Sequence, residues 1–405
     1  MDGSRVTNPH IVGLTGSFGS GCTYVADRIL VESKGYRKLS LSDTLRELYE
    51  QEKGGKASQD RRNLQQYGDR LRADRGAGYL ASEVAKTISV DEGADGQPTK
   101  WVVDSIRNPA EIRVLRNLSR NFFLFGIYAD RDIRWSRVRA RYKDDRRAFD
   151  EDDRNDTGEA SPEHGQRVGD CFSEADVVLT NDRHIEAVGS ADFQRLAGRV
   201  EQYVDVVSQP LTRRAPIGND EATMAMAYAA SQRSSCLKRK VGAVIVDDVG
   251  NALSSGFNEV PARETPCQER FVACHRDWLS NDFFASLKDR FPDVKGWEDE
   301  LKVFFRSKFK ILDLCRALHA EENAILSLAR NGRSVPLDKC TLFTTTYPCR
   351  LCANKIVSIG IKKVVYLEPY PDPEAKAILR DNGVSEQFFE GVTFKAYFRV
   401  YGEEK

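Results

Sequence analysis

The 405-residue sequence has no long hydrophobic run and no excess of charge of either sign. Its longest apolar stretch, Phe122–Ala129, is far shorter than the roughly 18 residues that a membrane-spanning helix needs, so no membrane partner is expected. The first ten residues lack the apolar centre of a secretory signal peptide. Basic and acidic residues both number 61, so net charge does not favour binding to nucleic acid or anionic membranes.

Cysteine is scarce and odd in number, with nine residues scattered along the chain. Disulfide frameworks are typical of short secreted chains, so this distribution favours a reducing compartment in which some cysteines bind metal. With no targeting segment, the expected location is cytoplasmic. Hydrophobic residues make up 40% and charged residues 30%, which suits a globular protein, and the length favours two domains.

The predicted domain boundary lies in Ser208–Asn219, a segment rich in proline and glycine. It separates a helix that ends near Val207 from a new helix for which Asn219 is the predicted cap. The predicted domains therefore span residues 1–212 and 213–405. A second irregular stretch, Lys143–Gln166, is highly charged and nearly devoid of large apolar residues, which predicts a mobile surface segment.

Both halves read as α/β. In residues 1–212 strands alternate with helices, which predicts a mostly parallel sheet with helices on both faces. The predicted strands of this half are His10–Thr15, Trp101–Asp104, Phe122–Tyr128 and Ala175–Thr180. The second half has the order helix, strand, strand, helix, strand, helix, strand, with a long insertion over residues 261–318.

Two short motifs in the second half carry the strongest chemical signal. They are His319-Ala320-Glu321 and Pro348-Cys349-Arg350-Leu351-Cys352. One imidazole and two thiols are the three protein ligands of a catalytic zinc whose fourth position holds water. Residues three apart at a helix start share one face, and a helix N-terminus favours thiolate over thiol. His319, Cys349 and Cys352 are therefore the predicted zinc ligands, with a structural zinc site or chance spacing as the alternatives.

Glu321 is the predicted catalytic residue. Zinc lowers the pKa of its bound water to about 7, and a neighbouring carboxylate can move the proton to a ring nitrogen and then to a leaving amine. The H-x-E and P-C-x-x-C signature is that of zinc deaminases of nucleobases. Glu322 is the weaker candidate because it points about 100° further round the helix.

Four stretches of the second half resemble the deoxycytidylate deaminase family: Arg233–Val246, Gly256–Pro261, His319–Leu326 and Thr344–Cys352. The resemblance implies a cytidine-deaminase-like α/β/α domain with a mixed sheet. It also implies that Asn258 contacts the sugar of the substrate, and Tyr347 is a candidate for a position beside the base or sugar.

The same family includes members with a second, structural zinc. Cys236, Cys267, Cys274 and His275 offer four side chains of suitable type, although their spacing is not that of a standard zinc finger. Buried or free cysteines are the alternative.

A glycine-rich loop in the first half, Gly16–Thr23, follows a predicted strand and opens a helix, as a phosphate-binding loop requires. Gly16, Gly21 and Thr23 match the G-x-x-x-x-G-K-[ST] template, and Gly19 lies inside the loop. Backbone N–H groups of such a loop cradle phosphate. The loop is therefore predicted to bind a nucleotide with Mg²⁺, with a plain tight turn as the alternative.

Cys22 stands where this template has lysine. Without the ammonium group, nucleotide binding is expected to persist, but efficient phosphoryl transfer is not. Asp104 ends a predicted strand and is the candidate metal-associated acid, while Arg107 is a candidate phosphate contact. These features resemble nucleotide kinases.

As a whole, the chain resembles bacterial anti-phage deoxycytidylate deaminases, in which a kinase-like domain precedes the deaminase. The resemblance implies deamination of dCTP and dCMP, depletion of the cytosine nucleotide pool during infection, and control by the first domain. It further implies a homo-oligomer with dCTP and dTTP as allosteric ligands, and leaves an RNA or phage-derived regulator open. The alternatives are a polynucleotide cytidine deaminase and a nucleotide kinase with a structural deaminase-like half.

Overall fold

The computed structural model describes residues 8–54, 61–90, 99–157, 166–183, 185, 187–209, 216–291, 300–301, 314–332, 335–369 and 372–402. These residues form two compact units, each with its own sheet. The first unit holds the described residues up to Ile217 together with those from Glu390 onward, and the second unit is Gly218–Phe389. The predicted domains differ from these units mainly in the final segment of the chain.

The first unit is built on a six-stranded sheet. Its strands are β1 (His10–Thr15), β2 (Arg37–Ser40), β3 (Lys100–Asp104), β4 (Phe122–Tyr128), β5 (Val177–Thr180) and, near the chain end, β11 (Gly391–Val392). They lie in the order β11-β5-β4-β1-β3-β2. All pairings are parallel except that of β11 with β5. Because the sheet is covered on both faces, β1 and most of β4 are continuous buried runs.

Helices surround this sheet. They are α1 (Cys22–Val25), a π-helical turn (Ala26–Val31), α2 (Glu32–Lys34), α3 (Leu41–Lys53), α4 (Arg61–Arg75), α5 (Tyr79–Ser89), α6 (Pro109–Leu118), α7 (Arg131–Val138), a 3₁₀ turn (Arg139–Tyr142), α8 (Arg146–Thr157), α9 (Val168–Ser173), α10 (Ala191–Ser208) and α17 (Tyr397–Tyr401). Within the part of the chain described here, no helix combines the length and apolar character needed to cross a bilayer.

The charged segment Lys143–Gln166 is largely helical where the structure describes it. Residues 146–157 form α8, in which Phe149 and Asp156 are fully buried. Asp153 is buried too and forms a bidentate ion pair with Arg134 of α7. The prediction of a mobile surface segment was wrong for these residues, because the helix buries Phe149 and pairs the carboxylates of Asp153 and Asp156 with arginines. Residues 158–165 of that segment lie outside the described residues.

The end of the chain completes the first unit. Val392, Ala396 and Val400 are buried in its hydrophobic core. The Arg399 guanidinium lies 3.0 Å from the buried carboxylate of Asp176. This segment therefore groups with the first unit, although the predicted boundaries assigned it to the second.

The second unit has a five-stranded mixed sheet in the order β10-β9-β8-β6-β7. Its strands are β6 (Gly242–Val246), β7 (Ala252–Phe257), β8 (Thr341–Thr346), β9 (Lys363–Glu368) and β10 (Ser385–Phe388). Its helices are α11 (Asn219–Ser231), α12 (Cys267–Phe271), α13 (His275–Arg290), α14 (Ala320–Arg330), a 3₁₀ turn (Leu337–Lys339), α15 (Arg350–Ile359) and α16 (Pro373–Asp381). The predicted α/β class is confirmed for both halves of the chain.

Two glycines let helices lie directly on this sheet. A Cβ atom on Gly242 would be 1.8 Å from the Ala227 carbonyl oxygen of α11, and one on Gly256 would be 2.3 Å from the Ala320 oxygen of α14. No larger residue fits at these contacts. The second contact sets the start of α14 against β7, which determines where His319 and Glu321 lie.

The first helix of the second unit begins one residue away from its predicted cap. Gly218 is the cap of α11, and its N–H donates to the Glu221 carboxylate at 3.0 Å. Asn219 is therefore the first helical residue rather than the cap. The structure confirms the two predicted helix limits beside the boundary. Helix α10 ends at Ser208, next to the predicted Val207, and α11 begins at Asn219.

Candidate functional site

Two helix N-termini bring the predicted zinc ligands of the second unit together. His319 caps α14, directly after the backbone bridge between Leu318 and Glu259. Cys349 caps α15, which follows β8 through a short turn. Cys352 lies one turn into α15 and is buried. Each ligand is thus held by the end of a regular element, which fixes the direction of its side chain.

The three ligand atoms have the spacing of a zinc site. His319 Nδ1 lies 3.3 Å from both Cys349 Sγ and Cys352 Sγ, and all three atoms are within 4.8 Å of one another. Zn–S bonds of about 2.3 Å and Zn–N bonds of about 2.0 Å in a tetrahedron separate ligand atoms by about 3.5 Å. The donor set and the spacing therefore fit zinc. Among the described residues, this is the group of three or more histidine, cysteine or acidic side chains whose ligand atoms all lie within 4.8 Å of one another.

The hydrogen bonds of this cluster favour the ligand form of a thiol. The bond from the Cys352 thiol, and then the bond from His319, lower the pKa of Cys349 to about 4 against the opposite effect of burial. The shared hydrogen bond raises the pKa of Cys352, and the bond with Cys349 raises the pKa of His319. A thiolate is the form that binds metal.

Glu321 lies beside the same cluster. Its side chain is buried, and the Cys352 thiol donates to its Oε2 at 3.5 Å. Burial is the main cause of the raised pKa of this carboxyl group. A carboxyl that gains a proton easily is suited to carry one between water and a substrate.

The Glu322 carboxylate stabilises the start of α14. One of its oxygens accepts the His319 backbone N–H at 3.4 Å, and the other lies 3.4 Å from Lys355 Nζ of α15. Its carboxylate therefore has backbone and ion-pair partners in the loop and helices that carry the ligands, and the carboxylate beside the thiols is that of Glu321.

The two predicted substrate contacts already have protein partners. The Asn258 amide accepts from Val241 N at 2.7 Å and donates to Arg239 O at 2.8 Å, which holds the turn before β6. The Tyr347 hydroxyl donates to Glu386 at 2.6 Å, and its ring meets Tyr366 edge-on in the core. A sugar contact by Asn258 and a base contact by Tyr347 stay predictions.

The residues predicted for a second zinc line one small cavity of the second unit. Cys236, Cys267, Cys274 and His275 all border it, and so does Cys315, which the predicted set omitted. Among the described residues, these ligand atoms do not all lie within 4.8 Å of one another. The His275 imidazole instead lies 3.2 Å from the Leu314 carbonyl oxygen and stacks on Trp278.

The glycine-rich loop of the first unit follows the C-terminal end of β1, a central strand of the sheet. Gly19 and Gly21 have positive φ angles of 84° and 97°. A Cβ on Gly16 would be 2.5 Å from the Ile127 carbonyl oxygen. These three positions require glycine, and the template for a phosphate loop specifies two of them, Gly16 and Gly21.

Thr23 and Asp104, each a candidate for a metal-associated role, lie together, and that role stays a prediction. The Thr23 hydroxyl donates to Asp104 at 2.8 Å, and Asp104 is buried at the end of β3. Burial is the main cause that raises the pKa of Cys22 to about 12. The thiol at the position of the template lysine is therefore neutral and carries no charge for a phosphate.

The sequence reasoning missed one acidic residue at this loop. The Phe18 backbone N–H donates to Asp156 Oδ2 at 2.9 Å, and Arg107 forms an ion pair with the other oxygen of the same carboxylate. Asp156 lies in the segment that was predicted to be mobile. No local pattern marks this contact, because 138 positions of sequence separate its partners.

The comparison with known proteins agrees with the site in the second unit. The family model for the cytidine and deoxycytidylate deaminase zinc-binding region matches residues 217–368. Deoxycytidylate deaminase of Enterobacteria phage T4 is 36% identical over 172 residues, covering 39% of this chain and 83% of that protein. The enzyme of Mycobacterium phage D29 is 33% identical over 147 residues, covering 36% of this chain and 92% of that protein.

A solved structure is also similar. The crystal structure of dCMP deaminase from cyanophage S-TIM5 in complex with dCMP and dUMP is 26% identical. The match covers 44% of this chain and 100% of that chain, with a TM-score of 0.29.

The second unit thus carries the zinc-binding region of a deaminase, and the protein is a hydrolase of that class. More particularly, the chain belongs to the deoxycytidylate deaminase family.

Proposed function

We propose that the protein removes the exocyclic amine of cytosine from free deoxycytidine nucleotides, dCMP and dCTP. The observation that carries this proposal is the cluster of His319, Cys349 and Cys352 with the buried carboxylate of Glu321 at 3.5 Å from one thiol. The relatives named deoxycytidylate deaminase support the deoxycytidine monophosphate as substrate class. Extension to the triphosphate rests on the resemblance of the whole chain to anti-phage deaminases.

His319, Cys349 and Cys352 would hold the zinc ion. When bound, zinc supplies Lewis acidity that lowers the pKa of a water molecule to about 7. Glu321 would take one proton from a water molecule as the water oxygen forms a bond with C4 of cytosine, and would pass that proton to N3. It would then take the second proton, from the hydroxyl on C4, and pass it to the amine, so that the C4–N bond breaks and ammonia leaves as the C4 carbonyl forms. Burial suits Glu321 to both steps, because it makes the protonated form accessible.

We propose that the first unit controls this reaction by binding a nucleotide at residues 16–23. Support comes from the positive φ angles of Gly19 and Gly21 and from the contact between Thr23 and Asp104. The proposal includes activation by dCTP, inhibition by dTTP, a homo-oligomeric enzyme and a role in anti-phage defence in the cytoplasm. These parts rest on the family resemblance.

A panel of substrates tests the proposed reaction. The purified enzyme is incubated with dCMP, dCTP, cytidine and a single-stranded oligonucleotide containing cytosine, each with and without dTTP, and ammonia and products are measured. We expect conversion of dCMP and dCTP, with the oligonucleotide unchanged because the chain has no net positive charge to hold a polyanion. Conversion of the oligonucleotide alone would make the protein a polynucleotide deaminase.

We also propose a second, structural zinc at the cysteine cavity of the second unit. Cys236, Cys267, Cys274 and Cys315 would supply four thiolates, and Cys315 takes the place that His275 had in the predicted set. This assignment is supported by the five side chains that line the cavity and by the carbonyl and ring contacts of His275. Four thiolates are a usual structural zinc set.

Metal analysis distinguishes the two ligand sets. Wild-type protein is expected to contain two zinc ions per chain, and Cys315→Ser is expected to contain one. His275→Asn is the matched variant and is expected to keep both ions. A wild-type content of one zinc, or equal loss in the two variants, would contradict the proposed site.

A further inference from the structure

The phosphate loop of the first unit already holds an anion from its own chain. Asp156, at the end of α8, has no exposed surface, and one of its carboxylate oxygens accepts the Phe18 N–H at 2.9 Å. Phe18 lies inside the loop, among the backbone N–H groups that a phosphate would use. A buried carboxylate therefore uses one of the donors that an incoming phosphate needs.

The same carboxylate neutralises a cation beside the loop. Arg107 forms an ion pair with Asp156 through the second carboxylate oxygen, and its backbone N–H is held by Glu111 at 2.8 Å. Because Cys22 replaces the template lysine and its thiol is neutral, a phosphate in the loop would need positive charge from a side chain such as Arg107. A phosphate in the loop and Asp156 would compete for one guanidinium.

The rest of the loop is braced by arginines of α7 that bind its carbonyl oxygens. Arg134 donates to Phe18 O at 3.2 Å and also pairs with Asp153 of α8. Arg137 donates to Gly19 O at 3.1 Å. Arg134 therefore joins the loop to α8, the helix that carries Asp156.

We infer that Asp156 is an internal competitor for a phosphate-binding site at residues 16–23, with Arg107 as the cation that replaces the missing lysine. A ligand bearing a polyphosphate binds when α8 gives up the contact with Phe18 and Arg107. The inference deepens the proposed nucleotide binding by the first unit and rests on it. The fold thus contains an autoinhibitory contact whose release is coupled to phosphate binding.

Binding measurements with three variants test this inference. Mg²⁺-saturated ATP and Mg²⁺-saturated tripolyphosphate are titrated into full-length protein by calorimetry, so that comparison of the two ligands shows whether the base contributes. If the contact is formed in about nine of ten molecules, its removal tightens apparent binding about tenfold. Asp156→Asn is expected to show this gain, and Arg107→Gln is expected to bind at least about tenfold more weakly. Asp152 lies on the same helix as Asp156, and its carboxylate accepts from the Tyr142 hydroxyl of the preceding 3₁₀ turn, so Asp152→Asn is expected to match wild type.

A second measurement uses unmodified protein and stays informative if a variant fails to fold. Hydrogen exchange of the amides in α8 is expected to rise when ATP or tripolyphosphate binds. Equal binding by wild type and Asp156→Asn, an equal gain in Asp152→Asn, or unchanged exchange in α8 would overturn the inference. The same exchange experiment on Glu321→Gln protein measures ligand binding by the first unit when deamination is blocked. A failure of the proposed phosphate binding is thereby distinguished from a failure of the proposed deaminase activity.

Discussion

Glu321→Gln protein is expected to deaminate dCMP about a thousandfold more slowly than wild type while it keeps its zinc. The amide has nearly the shape of the carboxyl group but cannot accept and return a proton, and general acid–base catalysis contributes about 10²- to 10⁴-fold to a rate. The side chain is buried beside Cys352, so bulk solvent has little access to take over the transfer. Ammonia release under saturating substrate gives the rate, and metal analysis gives the zinc content.

Glu322→Gln is the control for this experiment. Its amide oxygen can still accept the His319 N–H, and the ion pair with Lys355 is partly exposed. Exposed ion pairs contribute about 1 kcal/mol or less, so the rate is expected to stay within about fivefold of wild type. If Glu322→Gln were the slow variant and Glu321→Gln were normal, the assignment of the proton carrier would be reversed.

Cys352→Ala protein is expected to lose the zinc ion of the His319 cluster and all measurable deaminase activity. The substitution leaves one imidazole and one thiol, which is below the three protein ligands of a catalytic zinc. It also removes the hydrogen bond that most strongly lowers the pKa of Cys349. Zinc per chain is expected to fall by one, and added zinc is not expected to restore the rate.

Cys340→Ala is the matched control for loss of a buried thiol. Cys340 lies in the core of the same unit, with its thiol 3.6 Å from the Pro336 carbonyl oxygen and no part in the His319 cluster. This variant is expected to keep both its zinc content and its activity, with at most a modest loss of stability. Full activity of Cys352→Ala protein at reduced zinc content would remove the basis of the proposed reaction.

Local patterns predicted the parts of the fold that depend on neighbours in sequence. The bounds of β1 and β4 match the predicted ones, because each is a clear apolar run. The grouping of His319 with Cys349 and Cys352 could also be predicted from the sequence. Each motif lies at the start of a helix, and the spacing within a motif decides which residues share one face of that helix. The motif therefore encodes the local geometry of the site.

Contacts between residues that are distant in sequence could not be predicted from local patterns. In the sequence, the charged residues of α8 have the pattern of a solvent-exposed segment. The structure pairs two of its carboxylates with Arg107 and Arg134, which lie outside that helix. The two hydrogen bonds by which the Asn258 amide holds the turn before β6 were not predicted either. The cavity beside Cys315 depends on a long insertion whose path no periodicity predicts. In each case the partner is selected by tertiary packing, which single-sequence patterns do not contain.

The return of residues 390–402 to the first sheet has a consequence for biosynthesis. While the chain emerges from the ribosome, the amino-terminal unit lacks β11, the core residues of α17 and the Arg399 partner of Asp176. The intervening residues can form their own core earlier, because β6 to β10 are contiguous in the chain. The unit that is translated first is therefore the one that finishes folding last, after the deaminase unit has formed its own core.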